Sequence, residues 1–156
     1  MRRMKALAFL AFLGLLPMVA HAGGWACWAV ASQRYGVPVN LLYSIAKVES
    51  SSNAHALHTN GNGTYDIGLM QINSTWLPKL SKYGITREKL LTDACLNLQV
   101  GAWILADSIK AHGLNWRGVG AYNAHADRLR AIYALRVAHE LRSVEKHGYA
   151  ATGGSR

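Results

Sequence analysis

Glu49 is the side chain best placed to do chemistry, and its neighbours say which chemistry. In the run Leu41-Leu42-Tyr43-Ser44-Ile45-Ala46-Lys47-Val48-Glu49-Ser50, Leu42, Ile45, Ala46 and Glu49 fall at i, i+3, i+4 and i+7, one stripe of one helix. Three of the four are apolar, so the stripe faces a core, and a carboxylate carried into a core is costly unless protonated or well paired. Ser50-Ser51-Ser52-Asn53 breaks the pattern at once. Glu49 therefore sits near a helix C-terminus, where the macrodipole opposes negative charge. Desolvation and dipole both push its pKa upward, toward a group that can donate a proton near neutral pH. The periodicity leaves a second reading open, a sheltered Glu answering an Arg or Lys elsewhere in the core.

Two further polar stretches interrupt an otherwise apolar framework. In Gly68-Leu69-Met70-Gln71-Ile72-Asn73, polar Gln71 and Asn73 alternate with Met70 and Ile72, and Gly68 lets backbone or ligand approach closely. In Ala121-Tyr122-Asn123-Ala124, two hydrogen-bonding side chains lie between small residues. Uncharged amides and phenols suit a neutral ligand rich in hydroxyls and amides, such as an amino sugar. Each stretch taken alone also has a structural explanation: Asn123 as a helix cap, Gln71 and Asn73 as loop-backbone partners, Tyr122 as a core ring with a wet tip.

The elements that must position these groups read as helices almost throughout. Gly24 to Tyr35 forms a first helix ended by Gly36, and Pro38 suits the first turn of the helix carrying Glu49. Between Ser51 and Ile67 the periodicity vanishes around the turn cluster Asn60-Gly61-Asn62-Gly63, with Thr64 to Ile67 as a short strand beside it. Ser74 caps a helix from Thr75 to Tyr83, Thr86 or Arg87 opens a short one to Leu91, and Thr92 or Asp93 caps the long Ala94–His112. Asn115 to Asn123 is short. Ala126 to His147 closes the fold, with Leu129, Tyr133, Val137 and Leu141 at steps of four plus Ile132 and Val144 on its apolar side. The expected fold is mainly α, a single domain over 23–147 with a small irregular or β-hairpin insertion, and 148–156 reads as a frayed tail.

Residues 1–22 are not part of that domain. Arg2, Arg3 and Lys5 precede an apolar run from Ala6 to Val19, and Ala20-His21-Ala22 supplies an A-x-A cleavage pattern, the signature of an export signal. The run is too short for a comfortable membrane span and Pro17 interrupts it. Loss of this leader removes three of the 17 basic residues and none of the eight acidic ones, leaving an excess of six positive charges. That excess favours an anionic lipid surface or an acidic cell-wall polymer over nucleic acid, because Arg128, Arg130, Arg136 and Arg142 are spread along one helix, where they read as solvating an outer face. In an oxidising compartment Cys27 and Cys95, the two cysteines, form one disulfide; a lipid-anchored Cys27 is the weaker rival, and the spacing does not suit a metal site.

Together and in this order, Glu49-Ser50, Gly68 to Asn73 and Ala121 to Ala124 resemble the lysozyme-like lytic transglycosylases of the soluble-lytic-transglycosylase family 1. The likeness is to the small exported members that accompany secretion, pilus and conjugation machines, and it runs from about Trp25 to about Glu145. The resemblance implies a periplasmic enzyme without cofactor or metal, acting on peptidoglycan glycan strands. It implies Glu49 as sole acid/base, Ser50 orienting the substrate's N-acetyl group, and Met70, Gln71, Asn73, Tyr122 and Asn123 contributing to the cleft. Tyr133 is similar to a late cleft tyrosine, although it also fits its helix's apolar stripe. Two positions depart from the pattern: Asn53 is followed by Ala54 where Pro is usual, and His125 replaces the usual Gly, where it reads as narrowing the cleft or contributing to polymer binding and not as a catalytic group.

A second carboxylate would change the reaction, since hydrolases that invert or retain use a pair. Asp66, just ahead of Gly68, is the candidate; structurally it reads as a loop residue bonding loop amides in an Asx-type turn, the reading the resemblance favours. Asp93, Asp107 and Glu140 are expected on caps or outer faces. A peptidoglycan-binding assembly factor with little turnover is the reading from a different class.

Overall fold

The computed structural model describes residues 24–148, so the expected leader and all but the first residue of the tail lie outside the described residues. Seven α-helices follow in order: α1 Trp25–Tyr35, α2 Val39–Ser50, α3 Leu77–Leu80, α4 Arg87–Thr92, α5 Ala94–His112, α6 Trp116–Gly120 and α7 Asp127–His147. Three short strands, β1 Leu57–Thr59, β2 Tyr65–Ile67 and β3 Ile72–Asn73, form an antiparallel sheet in the order β1-β2-β3 between α2 and α3. The mainly helical single unit with a small β insertion matches the expectation. Among the described residues no helix is long and apolar enough to cross a membrane.

Local chemistry explains most boundaries. Gly36 and Gly84 adopt left-handed conformations after the elements they end. Thr86, Asp93 and Asn115 accept backbone N–H bonds at the starts of α4, α5 and α6. The helix expected from Thr75 to Tyr83 is instead α3 between two 3-10 turns, and its cap is Asn73, whose Oδ1 accepts from Thr75 N at 3.0 Å. Ser74 is engaged elsewhere, accepting from the Tyr65 amide across the sheet. β1 and β3 had no sequence signal: β1 is exposed along its length and β3 has two residues, too few for an alternation to show.

The core gathers Leu42 and Ile45 of α2, Leu98 and Leu105 of α5, and Tyr133 and Val137 of α7 around Ile67, Met70 and Ile72 of the hairpin. On α7 the expected stripe is rotated. Ala134 and Ala138 are buried, whereas Leu129 and Ile132 are 55% and 48% exposed. A stripe drawn at steps of four cannot say which edge meets the neighbouring helices. Cys27 of α1 and Cys95 of α5 are bonded, with Cα atoms 5.7 Å apart across a separation of 68 residues. Reduction is expected to lower stability by about 2–4 kcal/mol, and thiol titration of the denatured, unreduced protein should find no reactive group; two would refute the bond.

Candidate active site

α2 carries Glu49 into the wall of the cleft and then stops. Ser51 N donates to Lys47 O, the bond of an αL ending, and Ser52 N reaches Ala46 O, with both serines at positive φ (55° and 64°). The position is usually glycine, so two left-handed serines store local strain beside the carboxylate. Ser50 turns its hydroxyl back to donate to Leu69 O at 2.8 Å, which ties the hairpin turn to the end of α2.

That turn, Gly68 to Gln71, joins β2 to β3 and is held from three sides. Asn97 of α5, fully buried, donates to Ile67 O and Leu90 O and accepts from Met70 N. Gly68, at φ 72°, lies so close to the Asn97 amide and to Leu90 O that a Cβ would not fit. Tyr122 Oη donates to Met70 O at 2.7 Å. Gln71, itself at φ 49°, donates from its side chain to Gly68 O.

Above the turn, α7 presents Tyr133, whose hydroxyl donates to Glu49 Oε1 at 2.5 Å. Arg136, one turn on, reaches Val48 O at 3.4 Å. Burial raises the Glu49 carboxyl from its ordinary value to about 7, with the negative charge of Asp66 adding to the rise; the Tyr133 hydrogen bond, Arg136 and the Asn123 side chain oppose it. The Tyr122 and Tyr133 phenols, stacked 6.4 Å apart, are pushed well above the usual tyrosine range by burial and by Glu49. They stay protonated and serve as donors. The site therefore holds one carboxyl that can carry its proton near neutral pH, beside two phenols that cannot give theirs up.

Glu49 opens onto a cavity of about 790 Å³ running between the sheet and the α5–α7 side. Of the expected site residues, Gln71, Asn73, Tyr122 and Asn123 line it with Glu49, while Ser50, Met70 and Tyr133 do not. Met70 is fully buried, its side chain against Gly101, and it bears on the cleft only by holding the Tyr122 hydroxyl with its carbonyl. Tyr133 is 3% exposed and acts on Glu49 from behind. Asp66 lines the cavity, and both its oxygens are occupied: Oδ1 accepts from Asn73 Nδ2 at 2.7 Å and Oδ2 from Asn60 Nδ2 at 2.9 Å. Its partners are thus side-chain amides from neighbouring segments, rather than the backbone amides of an Asx-type turn.

Other lining residues escaped sequence reasoning. Asp107, exposed on α5, borders the cavity, and His112 and Arg130 line it as well; His125, singled out in the sequence, is also in the lining. Arg130, assigned with its neighbours to an outer face, is only 14% exposed at its side chain and donates from Nε to Ala124 O at 2.9 Å. Trp76 adds an aromatic wall, packed edge-on against Trp103 at 5.4 Å. Asn97 had a usable signal, a single amide on the apolar face of α5 one turn from Gly101, both buried.

Comparison with known proteins agrees with this arrangement. Residues 26–138 match the Transglycosylase SLT domain family. The chain is 42% identical over 131 residues to "Invasion protein IagB" of Salmonella typhi, covering 83% of this chain and 82% of that one. It is 35% identical over 127 residues to "Protein IpgF" of Shigella flexneri, covering 81% and 84%. Its fold superposes on an inactive mutant of the lytic transglycosylase Slt from Pseudomonas aeruginosa with a TM-score of 0.60 at 20% identity, over 81% of this chain and 24% of that much longer one. Matched over most of its length and folded as such a domain folds, the chain belongs to the SLT transglycosylase family and is a peptidoglycan lytic transglycosylase.

Proposed function

We propose that Glu49 is the sole acid/base of this enzyme and that its product carries a 1,6-anhydromuramoyl end. Glu49 protonates the glycosidic oxygen between N-acetylmuramic acid and N-acetylglucosamine as the C1–O bond breaks. The C6 hydroxyl of the muramoyl residue then attacks C1 and returns its proton to Glu49, so no water is consumed. The observation that carries this reading is the carboxyl itself, half-buried in the wall of the cleft and raised to about 7, which suits alternating proton donation and acceptance. Tyr133 fixes the orientation of Glu49 from behind, and the Asn123 amide, on the cleft side, favours its charged form. Gln71, Asn73 and Tyr122 supply amides and a phenol along the glycan path, Trp76 offers a flat face to a sugar ring, and Ser50 keeps the hairpin turn against α2.

Mass spectrometry of the products tests the reaction. Anhydro ends are lighter than hydrolytic ends by one water, and reducing ends from the wild-type enzyme would overturn the scheme. The alternative is a lysozyme-type hydrolysis with Asp66 as second carboxylate, favoured by its place in the same cavity and by its negative charge, which helps raise Glu49. Under the single-acid scheme kcat/KM falls as pH rises through about 7, because the acid form of Glu49 is lost. Asp66→Asn should reduce activity modestly and move that limb to lower pH, since a charge that raises Glu49 is removed. Complete loss of activity in a folded Asp66→Asn protein would instead favour two carboxylates.

The setting follows from the leader and the relatives. Residues 1–22 export the chain to the periplasm, leaving a domain over 23–147 and a short tail. A relative named for invasion supports local opening of the wall for an envelope-spanning secretion, pilus or conjugation apparatus, with components of that apparatus as partners.

A further inference from the structure

A second groove, of about 600 Å³, lies between α6 and α7. Its chemistry is unlike that of the cleft. Ala131, Ala134, Ala138 and Arg142 follow one another at helical spacing along one face of α7, so three small side chains leave a trough. Trp116 and Leu135 border it, 47% and 69% exposed. Its polar members are three arginines, Arg117, Arg130 and Arg142, against one acid, Asp127. Asp127 is already shared between Arg117 and Arg130, 3.6 Å from each. From Asp127 to Arg142 the trough runs about 22 Å along the helix, room for about four turns of a second helix.

We propose that this groove docks an acidic amphipathic helix of a partner protein, and that Arg130 passes its occupancy to the cleft. An apolar ridge at i, i+3, i+4 and i+7 fits the alanine trough between Trp116 and Leu135, and flanking carboxylates meet Arg117 and Arg142. Charge excludes the chain's own outlying segments as occupants, since residues 1–23 and 149–156 contain Arg and Lys but no Asp or Glu. Arg130 lines both cavities. Its guanidinium faces Asp127, and its Nε holds Ala124 O, next to Asn123, which lines the cleft with Glu49. Gly120 packs against the Arg130 backbone too closely to admit a Cβ, so the Ala121–His125 segment and Arg130 move together. A partner carboxylate that takes Arg117 from Asp127 changes what holds Arg130, and with it Asn123.

The relay rests on Glu49 being the catalytic acid; the docking does not, so binding and turnover are read separately. The probe is a labelled synthetic helix of about four turns with a leucine ridge and glutamate flanks, and the control carries lysines instead. The acidic helix should bind and the lysine helix should not, with affinity falling as salt is raised. Leu135→Glu and Arg142→Glu, both at exposed positions outside the cleft, should each weaken binding about tenfold or more with circular dichroism and basal turnover unchanged. Saturating acidic helix should alter turnover of purified peptidoglycan by about fivefold or more. Equal binding of both helices, or variants that bind like wild type, would overturn the docking. So would capture of phosphatidylglycerol vesicles in place of the helix, or self-association in sedimentation that the two variants abolish. Binding without any change in turnover would overturn the relay. An inactive wild type that still binds the helix would count against the catalytic reading and leave the docking standing.

Discussion

Glu49→Gln is expected to slow release of muropeptides from purified peptidoglycan by about a thousandfold or more, the upper range for a lost general acid. The amide keeps the shape of the side chain, and its carbonyl can still accept the Tyr133 hydroxyl. It has no proton to give to the glycosidic oxygen and cannot receive one from the C6 hydroxyl. Binding to sacculi should survive, because Gln71, Asn73, Tyr122 and Trp76 remain along the cleft. Equal clearing of peptidoglycan by wild type and variant would refute the assignment.

The same substitution should flatten part of the stability–pH curve. The folded-state pKa of Glu49, about 7, lies above its ordinary value of 4.5. Its contribution to stability is therefore complete below 4.5 and is lost as pH rises through 7, at most about 3 kcal/mol. Urea denaturation at pH 5 and pH 8 should show the wild type losing stability between the two and Glu49→Gln losing less. An unchanged difference would mean that the carboxyl is not desolvated in the folded protein.

Asn97→Ala is expected to cost about 5 kcal/mol, a large part of a small domain's stability. Asn97 is wholly buried, and its amide satisfies three backbone groups: Met70 N, Ile67 O at 2.8 Å and Leu90 O at 3.0 Å. Alanine leaves all three unpaired in the core and adds a void against Gly68. The Gly68–Gln71 turn should loosen, taking with it the Met70 carbonyl that anchors Tyr122, so activity at a temperature where the variant is still folded should fall as well. Asn97→Asp is no rescue, since it turns a carboxylate toward two carbonyls. A wild-type denaturation midpoint for Asn97→Ala would show that the turn holds without this amide.

Short-range chemistry was legible in the chain. A stripe of three apolar residues and one acid, ended by serines, was enough to put Glu49 half inside and at a helix C-terminus. The capping residues Thr86 and Asp93 and the terminator Gly36 act within a few residues of themselves, so their effect needs no knowledge of the fold. Periodicity misplaced Leu129, Ile132 and Arg130 because it reports a face without saying what that face meets, whereas Arg128, Arg136 and Arg142 are exposed as expected. Asp66 shows the same limit: its type and position marked it as a second carboxylate or a loop residue, and only the pairing of three strands brought Asn60 and Asn73 to its two oxygens.

By itself, then, the sequence determined the helices, the disulfide pair and an acid awkwardly placed to be charged. Tertiary structure alone decided what surrounds that acid. Tyr133 reaches Glu49 across 84 residues and Tyr122 reaches Met70 across 52, while Asn97 pins the turn between them. The reason is physical: the free energy of burying Glu49 depends on the low-dielectric wall and hydrogen-bond donor that α7 contributes and on the charge of Asp66 in the hairpin, and the packing of α2 on α7, with Ser50 tied to the hairpin turn, is what brings those groups within reach.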